Sequence, residues 1–454
     1  MKQRIEHDSL GNIEVPANKY WGAQTQRSLI NFNIGQEKMP YEIIQALAII
    51  KMAAAKTNVI CKKLNKQAGD IIIKVAKEII DGKLDGNFPL SIWQTGSGTQ
   101  TNMNVNEVIA NRSNTIIKKK MIHPNDHVNM SQSSNDVFPS AITIAGCLAI
   151  QQALLPSIKH LIDAFKQLEK QNISIIKVGR THLQDATPIS LAQEISGWRS
   201  MLEQSFSRIK LCLKSFCELP LGGTAVGTGI NTPKDFDHKI VKIISDFTNF
   251  SFKSIDNKFR GLASKDNVVS MHGEIKTLAT SLYKIANDIR FLSSGPICGL
   301  GELIIPANEP GSSIMPGKIN PTQCESLMMI ASQVLGNDVT ISFSAMQGNF
   351  ELNTFMPLIA FNLLQSINLL SQSINNFTDR CVVGIKPNLK RINQNLEHSL
   401  MNVTALTPKI GYEKAAQIAK HAYQQQISLK EAAIALGYVT AEEFDQLVVF
   451  KKMI

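Results

Sequence analysis

A mainly α-helical protein, organised in three parts around a bundle of long helices, follows from three properties of the 454-residue sequence. Apolar residues make up 44% and charged residues 19%, which suits a globular chain with a large core. Apolar side chains recur at alternating steps of three and four: Ile158, Leu161, Phe165 and Leu168, then Ile275, Leu278, Leu282, Ile285, Ile289 and Leu292. Such stripes are the buried seams of bundle helices. Little in the chain alternates with the period of a large sheet, and no repeat or low-complexity tract stands out.

Residues 1–132 mix short helical stretches with turns such as Asp81-Gly82 and His123-Pro124-Asn125-Asp126, and are expected to form an N-terminal domain. Residues 133–355 hold the long stripes and form the central bundle domain. Within it Pro321, directly after Asn320, stands at the first position of a helix running through Leu327, Ile330 and Val334. The loop before it therefore lies at a helix N-terminus. Residues 356–454 carry shorter helices, with capping boxes at Ser428/Glu431 and Thr440/Glu443 and Gly437 placed to stop the first of them. They are expected to form a small helical C-terminal domain.

The first residues, MKQRIEHDSLGN, carry charges of both signs and lack the apolar core of a secretory signal. No apolar run reaches the ~18 residues of a membrane span. A soluble, cytoplasmic protein without a membrane partner is expected. The seven cysteines are scattered, odd in number and free of any CxxC pair, which points to reduced thiols and away from a zinc ribbon. The net charge of +10 would attract polyanions. Lys and Arg are nevertheless spread along the chain, Lys118-Lys119-Lys120 being the densest cluster, and aromatic residues are only 6%, too few for a base-stacking platform. No nucleic-acid partner is expected; a positive field suits a small dianionic substrate instead.

Four segments break the helical pattern with small polar residues. Thr95-Gly96-Ser97-Gly98-Thr99-Gln100, followed later by Ser131-Gln132-Ser133-Ser134-Asn135-Asp136, offers the hydroxyls, amides and backbone N–H groups that hold a carboxylate. Gly179-Arg180-Thr181-His182-Leu183-Gln184-Asp185 sets a proton-exchanging histidine among hydrogen-bonding neighbours just ahead of a helix. Gly311-Ser312-Ser313-Ile314-Met315-Pro316-Gly317-Lys318-Ile319-Asn320-Pro321 combines hydroxyl donors, a lysine and a helix N-terminus, a natural anion site. It lacks the spacing of a phosphate-binding P-loop. The fourth, Gly222–Asn231, reads as a tight loop, with Thr224 and Asn231 as weaker site candidates.

The 311–321 segment resembles the signature of the fumarase/aspartase superfamily, and the 95–136 and 179–188 segments resemble its other two signature regions. Gly98-Thr99-Gln100, Ser133-Ser134-Asn135-Asp136, Pro316-Gly317-Lys318 and Pro321-Thr322-Gln323-Cys324-Glu325 look like the class II fumarase branch. Aspartate ammonia-lyases, the alternative within the superfamily, tend to differ at these places. The resemblance implies the superfamily's three-domain fold and reversible hydration of fumarate to L-malate, a step of the tricarboxylic acid cycle. It also implies a homotetramer whose active sites are each assembled from three subunits.

Carried onto this sequence, the resemblance makes Ser312 the base that removes the C3 proton of malate. It makes His182, oriented by Glu325, the group serving the departing hydroxyl. Ser97, Gly98, Thr99, Ser133, Ser134, Asn135, Thr181, Ser313, Lys318, Ile319 and Asn320 would hold the substrate. A second dicarboxylate site would involve His123, Pro124, Asn125 and Asp126, with Lys120 standing where an arginine is common. No cofactor and no metal is implied. The His123/His127 spacing superficially suits zinc, but Pro124 and Asn125 interrupt it and no HExxH pattern is present.

Overall fold

The computed structural model describes residues 2–454. Two short strands, β1 (Gln3–Asp8) and β2 (Gly11–Pro16), open the chain as an antiparallel hairpin. Helices α1 (Ala23–Asn31), α2 (Tyr41–Ile60), α3 (Lys66–Ile80) and α4 (Thr99–Ile117) follow. Next come α5 (Ser134–Ala149), a π-helical turn at Ile150–Leu154 and α6 (Leu155–Gln171), which together run as one 38-residue helical stretch. The hairpin β3 (Ile176–Thr181) and β4 (Gln184–Ser190) leads into α7 (Leu191–Phe216). Then come β5 (Glu218–Leu219), α8 (Phe236–Thr248), β6 (Lys253–Ser254), α9 (Lys258–Ala263) and α10 (Asp266–Leu292). The pair β7 (Leu303–Ile304) and α11 (Thr322–Ala345) precedes β8 (Gly348–Asn349), β9 (Leu352–Asn353) and α12 (Met356–Arg380). The chain ends with β10 (Lys386–Pro387), α13 (Leu389–His398), α14 (Thr407–Ile410), α15 (Tyr412–Gln425), α16 (Leu429–Ala435) and α17 (Ala441–Leu447). The fold is mainly α, as the stripes predict, and its sheets are isolated two-stranded ribbons.

The chain forms two compact units, residues 1–156, 207–279 and 332–371 in one, and 157–206, 280–331 and 372–454 in the other. In the first unit, α2 is buried on nearly every side: Ile43, Leu47, Ile50 and Ala54 are all enclosed, and α2 packs against α3 and α5. By length and mean hydropathy both α2 and the 134–171 stretch resemble membrane spans, but α2 is mostly buried inside the unit, as a core helix must be. This corrects the expectation of only short helices before residue 132. A run that is buried all round shows no stripe to read. The N-terminus of α1 is fixed by Glu107 of α4, whose carboxylate accepts from the amides of Gly22 and Gln24 at 2.8 Å and of Thr25 at 3.2 Å. A negative group at a helix N-terminus satisfies donors that have no helical partner.

The same unit carries a buried polar row. His272 of α10 lies between Asp338 of α11, 2.9 Å from Nδ1, and Ser366 of α12, 2.9 Å from Nε2. Lys276 donates to the other oxygen of Asp338 at 2.7 Å, and the Ser366 hydroxyl donates to the Asn362 carbonyl at 2.8 Å. Burial holds the His272 imidazole below its ordinary pKa against the pull of Asp338.

In the second unit the predicted seams are buried: Ile158, Leu161 and Phe165, and Leu282, Ile285 and Ile289, are all 0% exposed. Trp198 of α7 packs on Phe165 and donates to Asp288 at 3.0 Å. The C-terminal helices cluster around Leu406, Ile418 and Ala432. Both expected capping boxes form, and Gly437, with φ +67°, ends α16.

Candidate active site

In the first unit the polar segments become helix N-termini. Ser97 and Thr99 flank Gly98 where α4 begins, their hydroxyls 2.8 Å apart. Gly98 adopts φ +72°, and a Cβ there would stand 2.3 Å from the Phe138 ring. Gly96 is packed more tightly still: a Cβ would meet the Thr354 carbonyl oxygen at 1.3 Å. Only glycine fits either position. Ser133 caps α5 in a full capping box with Asp136, placing Ser134 and Asn135 in its first turn. Asn102 joins the two helices by donating to Ser134 Oγ at 3.0 Å. Two helix N-termini therefore present hydroxyls and amides together, the arrangement that attracts a carboxylate.

Beneath α5 lies the 222–231 loop. Asp136 is fully buried and accepts from the Ser133 amide at 2.9 Å and from those of Gly222 and Thr224 at 3.0 Å each. Burial raises its carboxyl to about 6, with those amides and the nearby Lys51 opposing the rise. Asn135 donates to the Ala225 carbonyl at 2.8 Å. Thr224, at φ +55°, thus contributes backbone to the support of α5, while its hydroxyl is buried without a partner.

Pro124, Asn125 and Asp126 begin a π-helical turn, Pro124–Val128, on the same unit, and His123 caps it. His123 Nδ1 accepts from the Asp126 amide at 3.2 Å and lies 3.1 Å from its carboxylate. His127 Nδ1 accepts from the His123 amide at 2.9 Å. The facing Nδ1 atoms of both histidines are therefore already engaged locally.

In the second unit, Thr181 and His182 are exposed at the tip of the β3–β4 hairpin. The sequence places this segment just ahead of a helix; α7 does follow at Leu191, but the histidine itself occupies the hairpin turn, with φ +55°. Arg180, one residue earlier, is anchored by Glu302, which accepts from its two terminal nitrogens at 3.1 and 2.8 Å. Glu302 is 0% exposed and also holds Lys177 at 3.2 Å and Asn395 at 2.9 Å. Burial alone would raise the Glu302 carboxyl; the bonds from Arg180, Lys177 and Asn395 outweigh it and set it below the ordinary glutamate value.

The 311–320 loop precedes α11. Its ends are tied by the Gly311 amide donating to the Lys318 carbonyl at 2.9 Å and by Asn320 Nδ2 donating to the Gly311 carbonyl at 2.5 Å. Ser312 Oγ accepts from the backbone amides of Ile314 at 3.2 Å and Met315 at 3.0 Å. Ser313, Lys318 and Ile319 are exposed, as is Glu325 in the first turn of α11. Among the described residues, the side chains of Thr181, His182, Ser313, Lys318 and Glu325 hydrogen-bond to nothing else in the chain.

A family model described as lyase matches residues 11–336, and one described as fumarase C C-terminus matches residues 403–454. The chain is 55% identical over 459 residues to the class II fumarate hydratase of Helicobacter pylori strain J99, covering 100% of this chain and 99% of that protein. It is 56% identical over 458 residues to the class II fumarate hydratase of Bacillus cereus, with the same coverage. The crystal structure of class II fumarase from Schistosoma mansoni superposes with a TM-score of 0.98 at 45% identity, covering 100% of this chain and 99% of that one. The chain belongs to the class II fumarate hydratase family.

As a family member, the chain shows features around these segments that the sequence reading missed. Lys51 is wholly buried beneath the α4 and α5 N-termini, and its only sequence signal is a single charge inside the apolar run Ile49-Ile50-Lys51-Met52-Ala53. Glu302, isolated between Gly301 and Leu303, gives no signal. Asp136 was visible as part of a motif, but its role under the 222–224 backbone is a contact 86 residues away.

Proposed function

We propose that the chain catalyses the reversible hydration of fumarate to L-malate, with Ser312 as the base. The observation that carries the assignment is the pair of backbone amides aimed at Ser312 Oγ. An alkoxide there would keep both bonds and gain strength from its charge, which lowers the cost of deprotonating an otherwise weak acid. In malate dehydration the Ser312 oxygen takes the C3 proton. The electron pair moves into the adjacent carboxylate as an aci-carboxylate, whose added charge faces Lys318 and Asn320. The C2 hydroxyl then leaves with a proton from His182, and water and fumarate result. Ser97, Gly98, Thr99, Ser133, Ser134, Asn135, Thr181, Ser313 and Ile319 hold the substrate, and His123, Pro124, Asn125 and Asp126 form a second dicarboxylate site.

The active protein is a homotetramer in the cytoplasm, each site drawing on three chains, and it serves the tricarboxylic acid cycle without a metal. His182 and Glu325 lack partners within their own chain, which fits a pairing completed by another subunit. On α11, Leu335, Val339 and Phe343 are spaced four apart and are 38%, 56% and 62% exposed, an apolar face suited to burial between chains. The three-part division at 1–132, 133–355 and 356–454 belongs to the same reading.

The test is loss of fumarate ultraviolet absorbance with water alone and with ammonium. Consumption with water supports hydration. Consumption only with ammonium would replace the reading by aspartate ammonia-lyase. Light scattering on the purified chain, and on Phe343→Asp, tests the assembly: a wild-type monomer with full turnover would refute it.

A further inference from the structure

Lys51 is 0% exposed at the centre of α2, among apolar neighbours, and the mechanism above makes no use of it. Its ammonium nitrogen donates to Asn129 Oδ1 at 2.9 Å and to Gln132 Oε1 at 3.0 Å. Asn129 Oδ1 is a hub, because it also accepts from Asn102 Nδ2 and Asn106 Nδ2, both at 3.2 Å, on α4. Asn129 and Gln132 lie in the turn that leads to Ser133, and Asn102 reaches on to Ser134. We propose that Lys51 is a positioning residue for substrate binding: by clamping Asn129 and Gln132 it sets the α5 N-terminus, with Ser133, Ser134 and Asn135, against the α4 N-terminus, with Ser97 and Thr99.

Asn58, also on α2, holds the middle of the same turn by donating to the Met130 carbonyl at 3.0 Å and accepting from Ser131 Oγ at 2.9 Å, but it reaches neither Asn129 Oδ1 nor Gln132 Oε1, the acceptors nearest Ser133. The side-chain oxygens of Asn102, Asn104 and Asn106 are already buried without a partner, so this region has more acceptors than donors. Removing Lys51 takes the donor from Gln132 Oε1 and one of three donors from Asn129. The turn then gains by moving its amides elsewhere, since a buried acceptor without a donor is costly. Burial penalises the charged form and lowers the Lys51 pKa to about 7, with Asp136 opposing; a lysine is tolerated here because its amine donates to both acceptors whether charged or neutral. The hydroxyls that move with the turn bind substrate in both directions of reaction, so their displacement raises KM more than it lowers kcat.

The inference rests on the fumarate-hydration reading and is tested on the full-length chain by steady-state kinetics of Lys51→Met and Gln132→Leu. Lys51→Met is expected to raise KM for fumarate at least tenfold with kcat within about threefold of wild type. Gln132→Leu, which removes the Oε1 acceptor together with the Nε2 bonds to the Val128 and Met130 carbonyls at 3.1 and 3.0 Å, should raise KM about threefold, and the double variant should fall short of the product of the two effects, because the Lys51–Gln132 bond is lost in both. Leu47→Ala, on the same helix and equally buried, should lower the unfolding temperature and leave KM unchanged. An unchanged KM in Lys51→Met, an equal KM rise in Leu47→Ala, or independent effects in the double variant would overturn the proposal. If Lys51→Met does not fold, Gln132→Leu decides: wild-type KM refutes the clamp. A wild-type chain without turnover would refute the hydration reading instead, and calorimetric titration of fumarate into the same variants would then read the clamp.

Discussion

Replacing Glu302 by alanine removes a wholly buried carboxylate that serves three residues, Arg180, Lys177 and Asn395, at once. Arg180 loses two bonds, of 3.1 and 2.8 Å, and retains only Asp185 at 4.0 Å. Lys177, itself 1% exposed, loses a partner at 3.2 Å and keeps Glu194 at 3.0 Å. Breaking a buried pair while leaving the cation in place costs about 3–5 kcal/mol. Glu302→Gln keeps the shape and one acceptor but loses the charge, and should cost about 1.5–3 kcal/mol. The hairpin β3–β4 carries Thr181 and His182 directly after Arg180, so kcat should fall along with stability. A displacement of about 1 Å at the tip is worth roughly 100-fold. Calorimetric unfolding and fumarate turnover on the two variants read both effects, ordered alanine, glutamine, wild type. The pH dependence has a definite sign. A carboxyl lowered in the folded state stabilises above its unfolded value of about 4.3 and loses that contribution as pH falls through the folded value. The deficit of Glu302→Ala should therefore shrink below about pH 4. A variant with wild-type unfolding temperature and wild-type kcat would refute the anchoring role of Glu302.

Ser312→Ala should lower kcat by at least about 1,000-fold with KM little changed, as expected for a group acting in the transition state; stopped assays at high enzyme concentration check it. His272, lowered by burial, binds fewer protons folded than unfolded, so stability should fall as pH drops through about 6.5. His272→Gln should flatten that stretch of a stability–pH curve, which urea melts at several pH values would reveal. Thiol titration of the native protein should label Cys298, the exposed cysteine, first, and reach Cys147, Cys217, Cys324 and Cys381 only on unfolding. Dialysis against a chelator should leave turnover unchanged; a loss restored by a divalent cation would contradict the metal-free reading.

What the sequence disclosed was whatever is set by neighbours in the chain. The capping boxes at Ser428 and Thr440, the stop at Gly437 and the start of α11 after Pro321 need only three or four residues each. The amphipathic seams of α6 and α10 need only a helical period. The hairpin at His182 was harder to see, because its strands are short and Arg180, Thr181, Gln184, Asp185 and Thr187 give no apolar alternation; its two buried cross-strand partners are Val178 and Pro188. The β1–β2 hairpin hid for the same reason, with a single apolar residue, Ile5, in its first strand.

The division between legible and hidden residues at the site has a physical cause. Thr181, His182, Ser313 and Lys318, which the proposed reading places against the substrate, are exposed, their side chains hydrogen-bond to nothing else among the described residues, and exposed polar residues in glycine-rich loops are conspicuous in a sequence. Charges enclosed by the fold do the reverse. Lys51, Asp136 and Glu302 are buried, and their donors or acceptors are occupied by residues 78, 86 and 122 positions away. Burial of a charge is costly unless its partners are supplied, so each of the three exists only because the fold brings those distant partners together. Lys51 and Glu302 each stand in the sequence as a single unexplained charge, Asp136 as one member of a polar motif, and in all three the reason for the charge lies in the fold.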